Sequence, residues 1–174
     1  EPDDDNYLEF TATKGNILVQ AYMKTSKPEY LNAAIKAYEY IIVRKPNNAG
    51  VMNNLAYLLA DNNKELDKAA NYAKRAHEMS PNDANKMDTY AYVLCKKGKY
   101  QKAKELLQSA MTLYDKSTEV MNWDVYEHLA IAHEGLGEKQ EAAEYYRLAI
   151  QHGEDKMSQL KKKDLVEAVN RVTN

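Results

Sequence analysis

Cysteine is almost missing from this chain. Cys95 stands alone, which excludes an intrachain disulfide framework and any zinc site built from cysteine pairs. Phenylalanine and tryptophan contribute one residue each, and glycine and proline only six and four. The formal net charge is −2, so no global basic field exists to draw in nucleic acid or an anionic membrane surface. Long apolar runs are also lacking. Nothing approaches the roughly 18 consecutive apolar residues that a membrane-spanning helix needs. A signal sequence is not visible, and because the chain does not begin with Met it is expected to be a piece of a longer one. Compartment is therefore not readable.

What is present is helical. Hydrophobic residues make up 44% and charged residues 29%, which places the chain among globular proteins rather than disordered ones. Tyrosine, with 14 copies, dominates the aromatics; its ring packs while its hydroxyl stays wet, which suits helix seams near a surface. The few Gly and Pro fall almost entirely between apolar-periodic segments, as breaks between helices do.

Three segments share one internal spacing: LAYLLADNNKELDKA (55–69), YAYVLCKKGKYQKA (90–103) and LAIAHEGLGEKQEA (129–142). In each, a large residue precedes an Ala (Leu55–Ala56, Tyr90–Ala91, Leu129–Ala130). A turn follows at Asn62–Asn63, Gly98 or Gly137, then Ala69, Ala103 or Ala142, then Ala76, Ala110 or Ala149 seven residues on. The step from Ala69 to Ala103 is 34 residues; that from Ala103 to Ala142 is 39, the excess lying in a linker around Thr118–Asn122. A weaker first copy carries Ala34, Tyr38, Ile41 and Pro46, with a longer turn expected through Ser26–Tyr30. A helix pair cannot bury its apolar faces alone, so such copies stack. The alanines let helices cross closely, while Tyr38, Tyr72, Leu107 and Tyr146 fill the space between. Gly98 and Gly137 supply the positive φ that ends a first helix. Pro46 and Pro81 end second helices, with Asn47 and Asn82 expected to open the next.

Paired small residues, turn Gly and terminal Pro in this register resemble the tetratricopeptide repeat family over roughly residues 14–153. The style of Asn53-Asn54-Leu55-Ala56 followed by Asp88-Thr89-Tyr90-Ala91 resembles the closing repeats of long bacterial arrays. Departures are Met52 and Met87 where an early aromatic is usual, and Asp115 and Glu154 where the terminal Pro would stand. The resemblance implies an all-α, right-handed α-solenoid: about four helix-turn-helix hairpins plus a C-terminal capping helix, as a single repeat domain over 1–174. Its repeats would run 6–46, 49–82, 84–117 and 123–154, with the cap at 155–174. Helices are expected near 6–25, 29–44, 48–61, 66–79, 84–97, 100–113, 122–136, 139–152 and 156–172. In the cap, Met157, Leu160, Leu165, Val166, Val169 and Val172 oppose a lysine-rich face. Glu1-Pro2-Asp3-Asp4 is either an acidic tail or the close of an upstream repeat, since it mirrors Lys45-Pro46-Asn47-Asn48 and Ser80-Pro81-Asn82-Asp83.

Catalytic and metal chemistry find little support. His128 and His133 are five residues apart, a rotation of about 140° on a helix, so they cannot chelate one ion together. His133 replaces a packing aromatic of the repeat, and His77 and His152 have no carboxylate or cysteine constellation in sequence. Cys95 lacks a base and a turn to present it. There is no phosphate loop or nucleophile elbow. Asp3-Asp4-Asp5 lacks the alternation of a calcium loop, and Lys161-Lys162-Lys163 reads as the solvated side of the last helix. No enzyme activity, metal or cofactor is expected.

A binding surface is expected instead. In the family resembled, first helices line the concave face, and residues four apart share a face of a helix. Those positions are Asn53 with Tyr57, Asp88 with Tyr92, and Glu127 with Ile131, with Glu134 nearby. The resemblance also brings to mind a clamp for acidic tails built from Lys, Arg and Asn. Its positions fall on Asn16, Gln20, Asn54, Asn85 and Thr89 over the first three copies, and on Asn53, Tyr57, Thr89, Asp124 and His128 over the last three. No Lys or Arg remains at them. The expected role is a protein-interaction scaffold whose groove takes a basic or amphipathic protein segment. The alternatives are self-association into a homo-oligomer, or a regulatory or docking segment of a larger enzyme such as a glycosyltransferase.

Overall fold

A computed structural model describes residues 4–116 and 121–174. The fold is all-α, in antiparallel pairs. Among the described residues are nine helices: α1 (Asp5–Thr25), α2 (Pro28–Arg44), α3 (Ala49–Asp61), α4 (Leu66–Met79), α5 (Ala84–Lys96), α6 (Tyr100–Lys116), α7 (Trp123–Gly135), α8 (Lys139–Gly153) and α9 (Gln159–Thr173). They fall into two compact units, Glu1–Ser80 and Pro81–Asn174. In the first, hairpin α1–α2 packs through α2 on α3 of hairpin α3–α4. In the second, α5 pairs with α6 and α7 with α8; α6 and α5 both meet α7, and α9 lies on α8.

Helix ends follow from local chemistry. Asn48 and Asp83 cap α3 and α5, their side chains accepting from the backbone N–H of Val51 and Lys86 at 3.0 Å each. The caps thus sit one residue beyond the expected Asn47 and Asn82: the Pro-Asn pair makes the turn and the next polar side chain opens the helix. Asp4 does the same for α1, accepting from Asn6 N at 3.1 Å, so it occupies the place of Asn48 and Asp83. Residues 1–3 of that opening run, and 118–120 of the linker, lie outside the described residues. Gly98 and Gly137 have φ of 70° and 77°. The turn between α3 and α4, residues 62–65, has no glycine and uses Asn63 at φ 49° and Glu65 at φ 41°, Asn being tolerant of that region. The turn expected to be long, 26–30, is the short one. Ser26 closes α1 at φ 54° and Pro28 starts α2 in its first turn, where its missing N–H is not needed.

The helix crossings are built from residues with little or no side chain. Ala56, Ala69, Ala76, Ala91, Ala103, Ala110, Ala130, Ala142 and Ala149 are all completely buried. In the first hairpin Gly15 takes this part: a Cβ there would lie 2.7 Å from the Tyr38 ring. Gly15 precedes Ala34 by 19 residues, whereas the alanines of the later copies are separated by 12 or 13, because α1 has 21 residues against 13 in α3, α5 and α7. Of the large fillers, Tyr38, Leu107 and Tyr146 are buried and Tyr72 is half-buried.

The last helix caps the second unit with Leu165, Ala168 and Val172 buried against Ala143, Tyr146 and Ala149. Leu160 and Val166, expected on the inner face, are 70% and 44% exposed. Starting α9 at Gln159, behind the Ser158 cap, turns Lys161 inward in their stead. Among the described residues no helix is long and apolar enough to cross a membrane.

Placing a larger side chain at a crossing forces the pair apart. Ala103→Leu should cost about 1–3 kcal/mol by overpacking, a fall of several degrees in melting temperature. A melting temperature lowered by less than a degree would show that residue 103 is not at a crossing.

Candidate protein-binding site

In the second unit α5 and α7 lie side by side, and the first-helix residues Asp88, Tyr92, Asp124, Glu127, His128 and Ile131 gather along them. His128 Nδ1 and Asp88 Oδ1 are 2.8 Å apart, in a buried pair with side-chain exposures of 2% and 7%. The Tyr92 ring stacks on the imidazole, centroids 4.1 Å apart and planes at 19°. Cys95, a turn further along α5, points its Sγ at the His128 carbonyl at 3.9 Å. Burial opposes charge on His128, but the Asp88 carboxylate, through its charge and hydrogen bond, and the charges of Asp124 and Glu127 prevail. The imidazole pKa is raised above its ordinary 6.5. Burial, with the Asp88 charge, pushes the Cys95 thiol up to about 12, which makes it a packing group rather than a nucleophile.

Asp124, in the first turn of α7, is the most exceptional member. Its Oδ1 is buried without a hydrogen-bond partner among the described residues. Burial raises its carboxyl pKa; the charge of His128 opposes this, while Asp88 and Glu127 add to it. Three carboxylates therefore surround one imidazole.

The other expected acids are engaged by the last helix. Lys161 Nζ meets Glu127 Oε1 at 2.6 Å and lies 5.9 Å from the Trp123 ring. Arg171 holds both oxygens of Glu134 at 2.7 and 2.9 Å. Tyr146 donates to the same carboxylate at 2.6 Å. Arg171 and Tyr146 hold Glu134 below the usual carboxylate range against the opposing effect of burial. Ile131 is half-buried and packs against the core of α7, α8 and α9. Asn53 and Tyr57 sit on α3 in the first unit, buried and half-buried. Asp88 and Tyr92 thus form a buried floor, and Glu127 and Glu134 are already balanced by cations. His128 and Asp124 both stood in the sequence as replaced clamp positions; the pairing of His128 with Asp88 across 40 residues has no local sequence signature.

His133 stays apart from His128, as the rotation between them requires. It stacks on Tyr145 with centroids 5.1 Å apart, and its Nδ1 lies 2.5 Å from Glu138 Oε2. Glu138 in turn holds Lys104 at 2.7 Å, tying α6 to the start of α8. His152 stacks on Tyr126 at 4.9 Å. Among the described residues no group of three or more His, Cys, Asp or Glu is arranged to hold a metal ion.

Comparison with known proteins agrees with this architecture. The chain belongs to the tetratricopeptide repeat family: residues 29–84 match the tetratricopeptide repeat model. Residues 62–148, half of the chain, fall in the family described as anaphase-promoting complex, cyclosome, subunit 3. A TPR repeat-containing protein of Pseudomonas aeruginosa is 29% identical over 99 residues, which is 57% of this chain and 17% of that protein. The chain thus has a bacterial homologue and spans about a sixth of its length. Among solved structures, the Arabidopsis OM64 TPR domain is similar with a TM-score of 0.56 at 21% identity, covering 71% of this chain and 93% of that one. MamA from Desulfovibrio magneticus RS-1 gives a TM-score of 0.56 at 13% identity, covering 92% and 93%. At these identities the likeness concerns the fold. Tetratricopeptide repeat domains are generically protein-interaction modules and typically non-catalytic.

The buried pair makes stability depend on pH. Because folding raises the His128 pKa, the stabilisation is complete below 6.5 and is lost as pH climbs through the raised value. Asp88→Asn should remove about 1–3 kcal/mol at slightly acidic pH, and progressively less in alkaline buffer. Urea denaturation of both proteins over a pH series checks this; a difference independent of pH would mean the pair is not ionic.

Proposed function

We propose that the chain is a non-catalytic adaptor and that the α5–α7 face of its second unit takes a basic or amphipathic segment of a partner protein. The observation that carries this is Asp124, a half-buried residue whose covered Oδ1 has no hydrogen-bond partner among the described residues and which has Asp88 and Glu127 among its neighbours. A lysine or arginine from a partner would pair with this carboxylate. Its charge would also offset an acidic cluster that one imidazole balances only in part. Glu127 contributes less than its charge suggests, because a ligand has to displace Lys161 to reach it. Glu134 is further committed, to Arg171 and Tyr146. Ile131 and the edge of Tyr126 supply half-buried apolar surface beside the acids, and aromatic and aliphatic anchors beside a steering charge give both affinity and orientation. Asp88 and Tyr92 set the floor on which this surface rests. In the first unit Asn53 and Tyr57 hold the matching positions of α3 and offer a separate, uncharged contact.

Asp124→Asn separates this role from a structural one. Relieving a poorly satisfied buried carboxylate should leave the melting temperature unchanged or higher. The same change should weaken capture of a blocked amphipathic peptide, arginines on one side and leucines on the other, by roughly tenfold. Fluorescence anisotropy reads the affinity. Equal affinity in the two proteins, or equally tight capture of an acidic peptide by the unsubstituted chain, would defeat the proposal.

A further inference from the structure

The last helix begins against its own dipole. The first turn of α9 contains no acid and holds Lys161 and Lys162, with Lys163 next, although the amide end of a helix repels cations. Each lysine has found a carboxylate, and the three carboxylates differ. Glu154, the partner of Lys162, and Glu167, the partner of Lys163, have side chains 66% and 63% exposed, so water solvates their charge without help. Glu127, the partner of Lys161, is only 13% exposed, and a cation beside it counts for more. Trp123 stands one turn before Glu127 on α7, about 40° away around the axis. Its ring lies 5.9 Å from the same ammonium group, within the range at which an aromatic face attracts a cation. Carboxylate and ring together make a formed cation site, and Lys161 is in it. The hold on that lysine is local. The buried residues of α9 are Leu165, Ala168 and Val172, all beyond the first turn, and Leu160 is 70% exposed. The Ser158 side chain, accepting from Lys161 N at 3.1 Å, caps the turn, and Met157 packs on the core ahead of it. The turn thus lies between two apolar anchors and can open without undocking either.

We propose that Trp123 and Glu127 are a second cation subsite on the face assigned to the partner, with the first turn of α9 as its latch. Lys161 is then an internal occupant that a lysine or arginine of the partner replaces. This rests on the reading of Asp124 given above. Asp124 and Glu127 are three residues apart on α7, hence neighbours on one side of the helix, so the partner segment is one with two cations spaced to meet both. A segment with one cation reaches Asp124 and leaves the latch closed. A segment with two also gains the Trp123–Glu127 site and releases the first turn of α9. An ion pair that only stapled α9 to α7 would behave differently: its loss would lower stability and leave capture unchanged.

The affinity of the full chain for the arginine–leucine peptide, read by fluorescence anisotropy, separates these outcomes. Lys161→Gln should tighten capture about fivefold, the equivalent of one partly exposed ion pair. Lys162→Gln removes the same charge from the neighbouring position and should change affinity less than about twofold. In a Glu127→Gln background, Lys161→Gln should have no effect. A peptide with a single arginine should gain nothing from Lys161→Gln. Ser158→Ala leaves every charge in place but removes the cap; it should speed amide exchange at residues 160–163 and shift capture in the same direction as Lys161→Gln. Equal affinity in Lys161→Gln and Lys162→Gln, with Asp124→Asn still weakening both, would overturn the latch and leave the Asp124 reading standing. Loss of the Asp124 dependence would overturn the two together. A Lys161→Gln protein that melts lower and captures the peptide no better would show that the pair is a staple.

Discussion

Everything in this fold depends on how closely two helices can approach where they cross. Amphipathic helices of 13 to 17 residues, the range of α2 to α9, are marginal by themselves and gain stability only by burying a face against a neighbour. Fully buried alanines at the crossings, and Gly15 against Tyr38, set that distance. Once it is set, the larger side chains have defined spaces: Tyr38, Leu107 and Tyr146 between the helices of a pair, and Leu55 and Leu129 between one pair and the next. An added methylene group at a crossing would displace a helix, whereas one at a surface position would only be solvated.

The acidic face inherits its properties from the same packing. Asp88 and His128 meet because α5 and α7 lie alongside each other, each presenting a residue three positions before its crossing alanine or two before it. Burial makes an isolated charge there costly, so the pair survives only by mutual ionisation and by the Tyr92 ring that covers it. The surplus of carboxylates then falls on Asp124, whose Oδ1 has no hydrogen-bond partner among the described residues. α9 relieves Glu127 and Glu134 with Lys161 and Arg171, pairs that are partly exposed and contribute modestly to stability. Their larger consequence is to confine the unbalanced charge to one end of α7.

Much of the architecture was legible because repetition exposes it. Three copies of an Ala–turn–Ala–Ala spacing located the hairpins, and Gly98 and Gly137 marked two of the turns. The first copy was harder to read because its small residue is Gly15, displaced by about two turns in the longer α1. The caps at Asn48 and Asp83 were misplaced by one residue because the Asn47-Asn48 and Asn82-Asp83 neighbours are equally good cap formers. The surface was far less legible. Residues four apart share a face of a first helix, yet which of them stay open depends on contacts from α9 and on a pair separated by 40 residues, and neither leaves a periodic trace.

The central claim is that unbalanced carboxylate on α7 selects a cationic protein segment. Backbone and side-chain chemical shifts of the isotopically labelled full chain, followed during titration with the arginine–leucine peptide, test it most directly. The account predicts that the largest changes fall on Asp124, Glu127, His128 and Ile131, with Lys161 shifting as it is displaced from Glu127. Changes confined to second helices, or spread evenly over the surface without saturation, would contradict it.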